Sequence, residues 1–237
     1  MEMVNIHKRF GKVRALAGVN FVIEHEEIVG LVGDNGAGKS TLIKILSGIY
    51  PANEGQTFVE GRKVKISSPG DAMRMGIETV YQEQALAIQL SVARNIFMGR
   101  EPVKFMKFLD RRKMAKEPIR ILKNIGLHIE SPNKVVKLLS GGERQGVAIA
   151  RAMYFKAKVL ILDEPTIALS VKEAQQVLQF VRQLKDQGIS SIFITHNLYH
   201  VYPIADRFVV LSHGKKVGDV RKEDISIDDL TKLIVSR

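Results

Sequence analysis

The chain has 237 residues, 45% of them hydrophobic, enough to bury one substantial core, or one core plus a small subdomain, but hardly two independent domains. The lack of cysteine excludes disulfides and thiolate metal sites, and no apolar run reaches the roughly 20 residues that span a bilayer. An excess of 36 basic over 25 acidic residues, +11 net, admits nucleic acid, an anionic membrane face or polyphosphate ligands, and chooses none of them.

The opening MEMVNIHKRF has no apolar segment of the kind that makes a secretion signal, so a soluble chain is expected. EEIVGLVG (26–33) reads as a buried strand running into a glycine loop, and KSTLIKILSGIY (39–50) as the helix after it. QTFVEGRKVKI (56–66) reads as a hairpin turning near Glu60-Gly61; Ser68-Pro69 opens a short helix that Gly76 ends, and IETVYQ (77–82) is the next strand. From Ala85 to Lys137 the strand signal fades into charged helical segments, SVARNIFMG and DRRKMAKEPIRILKNIG, and Pro118 is expected to break or kink the second.

LLSGGERQGVAIARAM (138–153) is a further helix, with Ser140 and Glu143 spaced as a capping box. Gly141 and Gly142 at its mouth suggest a backbone that must come close to something. KVLILDEP (158–165) resumes the sheet, and residues 170–188 form an amphipathic helix with Val177, Phe180, Val181 and Leu184 on one face. ISSIFITH and DRFVVLSHGKKVGDV supply further strands before a closing helix at 222–236. Short β-rich runs alternating with amphipathic segments describe an α/β sheet with crossover helices.

GDNGAGKST (33–41) matches G-x-x-x-x-G-K-[ST], with a strand before it and a helix after. Gly33, Gly36 and Gly38 let backbone amides of a loop that also holds Asp34, Asn35 and Ala37 converge on a polyphosphate. Lys39 carries a charge to the β- and γ-phosphates, and Ser40, with Thr41 beside it, offers a hydroxyl to Mg²⁺ at a helix start that already favours anions. VLILDE (159–164) ends in two carboxylates at the carboxyl edge of the sheet, where ligands sit in open α/β folds. Asp163 is placed to reach Mg²⁺ through water, and Glu164 to orient and deprotonate an attacking water.

The phosphate loop, LSGGERQ, LILDEPT and ITH, in that order, resemble an ATP-binding cassette (ABC) ATPase over most of the chain. The resemblance implies a P-loop NTPase (RecA-like) core with a mixed sheet, an antiparallel β subdomain and an inserted helical subdomain. The division it implies is residues 1–84 and 158–237 for the nucleotide-binding core with its β subdomain, and 85–157 for the helical signature subdomain. It further implies two cassettes sandwiching two ATP molecules, each between one chain's phosphate loop and the other chain's signature, Ser140, Gly141, Gly142 and Gln145. The amides after Ser140 would receive a γ-phosphate held by another subunit.

By the same resemblance Gln82 senses Mg²⁺ and γ-phosphate near the transmembrane partner, His196 contacts γ-phosphate from a strand end, and Phe10 stacks on adenine. PTIALS departs from the family's usual Pro-Thr-x-x-Leu-Asp, with Ser170 in place of the aspartate. That departure, with ISSPGDAMRMGIETVYQE, LSVARNIFMGRE and ITHNLYHVYPIADRFVVL, resembles cassettes of bacterial simple-sugar importers.

The expected function is therefore ATP hydrolysis that powers such an importer from the cytoplasmic face of a bacterial membrane. Its expected partners are a second cassette, identical or paired, two transmembrane permease subunits and, indirectly, a sugar-binding protein. The rival keeps the ATPase and turns it on nucleic acid or the ribosome. That reading calls for a coiled coil, zinc-binding cysteines or a second cassette, which the 82–139 stretch does not offer, so no nucleic-acid partner is expected.

Overall fold

A computed structural model describes residues 1–81, 86–105 and 108–235. The chain opens with β1 (Glu2–Phe10) and β2 (Val13–Val22), an antiparallel pair to which the sequence reading gave no strand. β3 (Ile28–Val32), buried at every residue, runs into the glycine loop and α1 (Lys39–Leu46). That helix stops short of the expected Tyr50, at a C-cap on Ser47 followed by left-handed Gly48. β4 (Glu54–Val59) and β5 (Arg62–Val64) make the expected hairpin, its turn carried by Glu60 and Gly61 at φ 51° and 74°. Ser68 caps α2 (Pro69–Arg74), and β6 (Ile77–Val80) follows.

Among the described residues three α-helices come next: α3 (Val92–Phe97), capped by Ser91; α4 (Arg111–Asn124), capped by Asp110; and, after a 3-10 turn at Val136–Leu138, α5 (Gly141–Tyr154). Pro118 does not end α4, which runs through it as one helix. A proline inside a helix costs about 3 kcal/mol, and burying Ile121 and Leu122 on the same face returns about 1.5–3 kcal/mol each, so packing wins. The remainder alternates as far as β9 and then turns back in β10: β7 (Val159–Asp163), α6 (Val171–Asp186), β8 (Ser190–Ile194), α7 (Leu198–Val201), β9 (Arg207–Ser212), β10 (Lys215–Arg221) and α8 (Ile227–Val235). The closing helix is split, with a 3-10 turn at Lys222–Asp224 ahead of α8.

The strands form an antiparallel sheet, β2-β1-β4-β5, and a mixed sheet, β10-β9-β3-β8-β7-β6, in which only β10 is antiparallel to its neighbour. Alternate residues of the parallel strands face opposite ways and feed two cores. Ile28, Val32, Leu160 and Leu162 pack with Phe97, Leu122, Val147 and Phe180, so the helices of the 85–157 stretch share a core with one face of the sheet. Val29, Leu31, Val159 and Ile161 pack with Met3, Leu16, Phe21 and Leu42 between the two sheets. Because β8 lies between β3 and β7, the carboxyl ends of all three strands meet at one edge.

Candidate functional site

At that edge the phosphate loop follows β3. Gly33 sits at φ 141°, and a Cβ there would lie 2.1 Å from the Leu211 carbonyl oxygen, so no other residue fits this start of the loop. Gly38 is the N-cap of α1 in a left-handed conformation, with no side-chain cap and no acidic residue in the first turn. The helix start therefore meets an incoming anion with its positive dipole end unopposed by its own side chains. Lys39 is only 8% exposed; its ammonium donates to the carbonyls of Gly33 (2.5 Å) and Asp34 (2.9 Å). Burial pulls its pKa down, and Glu164, Asp34 and Asp163 oppose that pull.

Asp163 and Glu164 come to the same place from β7. Residues 35–41, Asp163, Glu164 and Ile194 line one cavity of about 300 Å³ together with Val13–Ala15 of β2. Burial, and then the adjacent Glu164, raise the Asp163 pKa, with Lys44 and Lys39 acting against them. Asp163 thus stands as a half-buried carboxylate short of positive charge, next to the Ser40 hydroxyl-bearing turn. Carboxylate and hydroxyl oxygens are the donors Mg²⁺ prefers, and Mg²⁺ commonly takes one or two protein ligands plus phosphates. Among the described residues no group of three or more His, Cys, Asp or Glu that could hold a metal ion gathers.

Glu164 holds a left-handed backbone at φ 48°, and its N–H donates to the Ile194 carbonyl (2.9 Å). Such strain in a non-glycine residue persists only where neighbours fix it. Its carboxylate accepts from the Thr195 hydroxyl (3.0 Å), the His196 N–H (3.0 Å) and the His196 ring at Nδ1 (2.8 Å). A carboxylate facing a ring nitrogen can only accept, so Nδ1 carries the proton here. The His196 side chain is otherwise 62% exposed. The resemblance aims His196 at a phosphate; the structure joins it to Glu164 first.

Thr195, 1% exposed, belongs to the same cluster and was not singled out from the sequence, although it stands in the quoted ITH. The loop onward from Glu164 is fastened again by the buried Thr166 hydroxyl, 2.9 Å from His200 Nδ1, and ends at Ser170. Ser170 is the N-cap of α6 and forms a capping box with Glu173. That S-x-x-E spacing was legible in SVKE but was read only at 140–143.

Ser140 caps α5 through the expected box, its hydroxyl accepting from Glu143 N–H (3.2 Å) while the Glu143 carboxylate accepts from Ser140 N–H (2.7 Å). Within the single chain the amides behind it have acceptors of their own. Gly142 N–H donates to Glu173 Oε1 of α6 (3.3 Å), and a Cβ at Gly141 would sit 2.5 Å from the Leu169 side chain. The two glycines thus admit a neighbour within their own chain. Gln145 is 2% exposed, inside the helical layer and away from the helix mouth. None of Ser140, Gly141, Gly142 and Gln145 lines the phosphate-loop cavity.

Phe10 ends β1, 43% exposed, in edge contact with Tyr50 (centroids 5.3 Å apart) and with Lys8 Nζ 5.1 Å over its ring. Its cross-strand partner Val13 lines the cavity, and Phe10 itself does not. Arg14, also on that wall, was missed because nothing in its local sequence marks it. Gln82 lies outside the described residues.

A phosphate loop at the end of one parallel strand, paired carboxylates at the end of another and a histidine after the strand between them define a P-loop nucleotide-binding cassette. The chain belongs to the ABC transporter family, whose model matches residues 16–167. It is 46% identical, over its whole length and 94% of the relative's, to the xylose/arabinose import ATP-binding protein XylG of Sulfolobus acidocaldarius. It is 44% identical to the ribose import ATP-binding protein RbsA 1 of Rubrobacter xylanophilus, spanning all of this chain and 47% of that protein. The fold is that of MJ1267, an ATP-binding cassette of an ABC transporter, in its ADP conformation (TM-score 0.84, 26% identity, 98% and 92% of the two chains). It is shared with a dimeric, post-hydrolysis cassette, MJ0796, bound to ADP and Pi (TM-score 0.77, 24% identity, 94% and 99%).

Proposed function

We propose that this chain is the ATP-binding and ATP-hydrolysing subunit that powers a membrane importer for a simple sugar, through ATP-driven closure of two cassettes. The observation that carries the reading is the separation within one chain: phosphate loop, Asp163 and Glu164 line one cavity, and the Ser140 helix start is not part of it. A complete site then needs the Ser140 helix of a second chain, whether identical or a paired cassette subunit. The relatives' names as xylose/arabinose and ribose import proteins support the sugar, and the dimeric MJ0796 supports the pairing.

On ATP binding the Lys39 ammonium exchanges the carbonyls of Gly33 and Asp34 for phosphate oxygens, and the amides from Gly36 to Thr41 wrap the β-phosphate. Ser40 and Asp163 would hold Mg²⁺, with Gln82 as a further oxygen donor; Mg²⁺ there supplies charge neutralisation on the phosphates. Glu164 takes the proton of the attacking water, and Thr195 and His196 hold its carboxylate in place for that transfer. Phe10, paired across the strands with the cavity-lining Val13, stacks on adenine. Ser170, uncharged where the family has aspartate and engaged as a helix cap, makes coupling between the two ATP sites differ from that of the wider family.

In this reading the 85–157 helices and the Gln82 region dock on two transmembrane permease subunits at the cytoplasmic face, and a sugar-binding protein acts through them. No described helix is long and apolar enough to cross a membrane. The test is affinity purification from detergent-solubilised membranes. Two multi-spanning proteins should co-purify with the chain, and ribosomes or DNA in their place would overturn the reading.

A further inference from the structure

The carboxylate of Glu173 stands between two helix starts. Its Oε2 accepts from the N–H (3.0 Å) and hydroxyl (2.8 Å) of Ser170, closing the cap of α6. Its Oε1 accepts from the N–H of Gly142 in the first turn of α5, 31 residues away in sequence. These bonds, from Ser170 first and Gly142 after it, hold the Glu173 pKa down to about 2, so it is an anion at any physiological pH. The bond to Gly142 is the longest of the three, and one α5 carries two carboxylates at its mouth, since Glu143 also accepts from Ser140 N–H. By contrast α1 has no acidic residue there.

The α5 start is the element that, in the function proposed above, faces the γ-phosphate of the partner chain's ATP. We infer that Glu173 is a positioning residue which occupies the Gly142 amide in the single chain and yields it to the partner's γ-phosphate when two cassettes close. The exchange has two consequences. Closure is opposed by a like charge beside the arriving phosphate, so a higher ATP concentration is needed to drive it. Glu173 also keeps Ser170 after releasing Gly142, so the event at the signature helix is felt at the end of the loop that begins with Glu164.

The inference rests on the composite-site reading, and the experiment separates the two. In a Glu164→Gln background, light scattering against ATP concentration gives the half-saturation point for dimerisation. Failure of that parent to dimerise at all would count against the composite site itself. Given a dimerising parent, adding Glu173→Gln keeps an acceptor and the cap while removing the charge. It should lower the ATP needed by about five-fold, the scale of one screened like-charge contact. Nucleotide affinity of the monomer, measured below the dimerisation threshold, should not change. With Glu164 restored, KM for ATP should fall more than kcat. A half-saturation point that is unchanged or raised by Glu173→Gln overturns the inference. Glu173→Ala distinguishes the structural contribution: it removes the carboxylate half of the capping box while the Ser170 hydroxyl still accepts from the residue 173 N–H, and its melting temperature should fall where that of Glu173→Gln holds.

Discussion

The starts of α1 and α5 are both serine- and glycine-bearing helix mouths, yet they are finished differently. α1 is left open: Gly38 has no side chain to cap it, and no carboxylate sits in its first turn. α5 is closed by its own chain, with Ser140 and Glu143 sharing a capping box and Glu173 on Gly142. An anion reaching α1 meets unclaimed polarity and a lysine, whereas one reaching α5 must take a hydrogen bond from a resident carboxylate. The first mouth leaves its amides free of side-chain caps, and the second is capped within its own chain; in the function proposed above the first binds the polyphosphate of its own chain and the second answers a phosphate held by another.

Four substitutions sharpen this contrast, from the largest expected effect to the smallest. Glu164→Gln should cut steady-state ATP turnover by about 10²- to 10⁴-fold, the usual contribution of a general base. Nucleotide titration of the same variant should show affinity intact, because the proposed function gives the binding to α1 and Lys39. Ser140→Arg strikes the other mouth: turnover should drop roughly 10²-fold, as when one transition-state donor is lost. Its monomer should still bind nucleotide as the wild type does. Equal loss of monomer binding would mean that α5 serves its own chain's site and would erase the contrast.

Phe10→Ala acts only at the first mouth. Removing an aromatic contact worth about 0.5–1.5 kcal/mol should weaken ATP affinity roughly three- to ten-fold, read by equilibrium titration, and leave GTP or bare triphosphate binding less affected. Asp163→Asn should raise the melting temperature of the protein without nucleotide by about 2 °C, since a half-buried carboxylate is replaced by a neutral group. The sign with pH follows from the raised pKa of Asp163. An aspartate that binds its proton more tightly when folded destabilises above its folded pKa, and that cost fades as pH falls towards the unfolded value near 3.9. The gap between variant and wild type should therefore be widest at neutral pH and close as the buffer is acidified.

The first of these mouths was almost fully legible in the sequence, because each feature is local. GDNGAGKST fixes the loop by its glycines, and the apolar run before Asp163 puts two carboxylates at a strand end. The open cap at Gly38 is visible in the same nine letters. The second mouth was half legible. Ser140 and Glu143 are three residues apart and announce their box, but Glu173 reaches Gly142 across 31 residues, and only the packing of α5 against α6 brings them together.

The same division holds for Glu164: its place after β7 is local, whereas its anchoring by Thr195 and His196 depends on β8 lying beside β7. Pro118 does not break its helix for a related reason. Its local cost is real, and the burial of Ile121 and Leu122 that outweighs it is a tertiary fact. β1 and β2 carry no clean alternation, because irregular register at Met3/Ile6, Ile6/His7 and Lys8/Arg9 breaks the period.

The central claim is that the working unit is two chains with ATP between them. Light scattering on the Glu164→Gln protein tests it most directly. With Mg²⁺ and saturating ATP the species should have twice the 26.5 kDa mass of one chain, and adding Ser140→Arg should return it to a single chain. A strictly monomeric Glu164→Gln protein at saturating ATP would contradict the account.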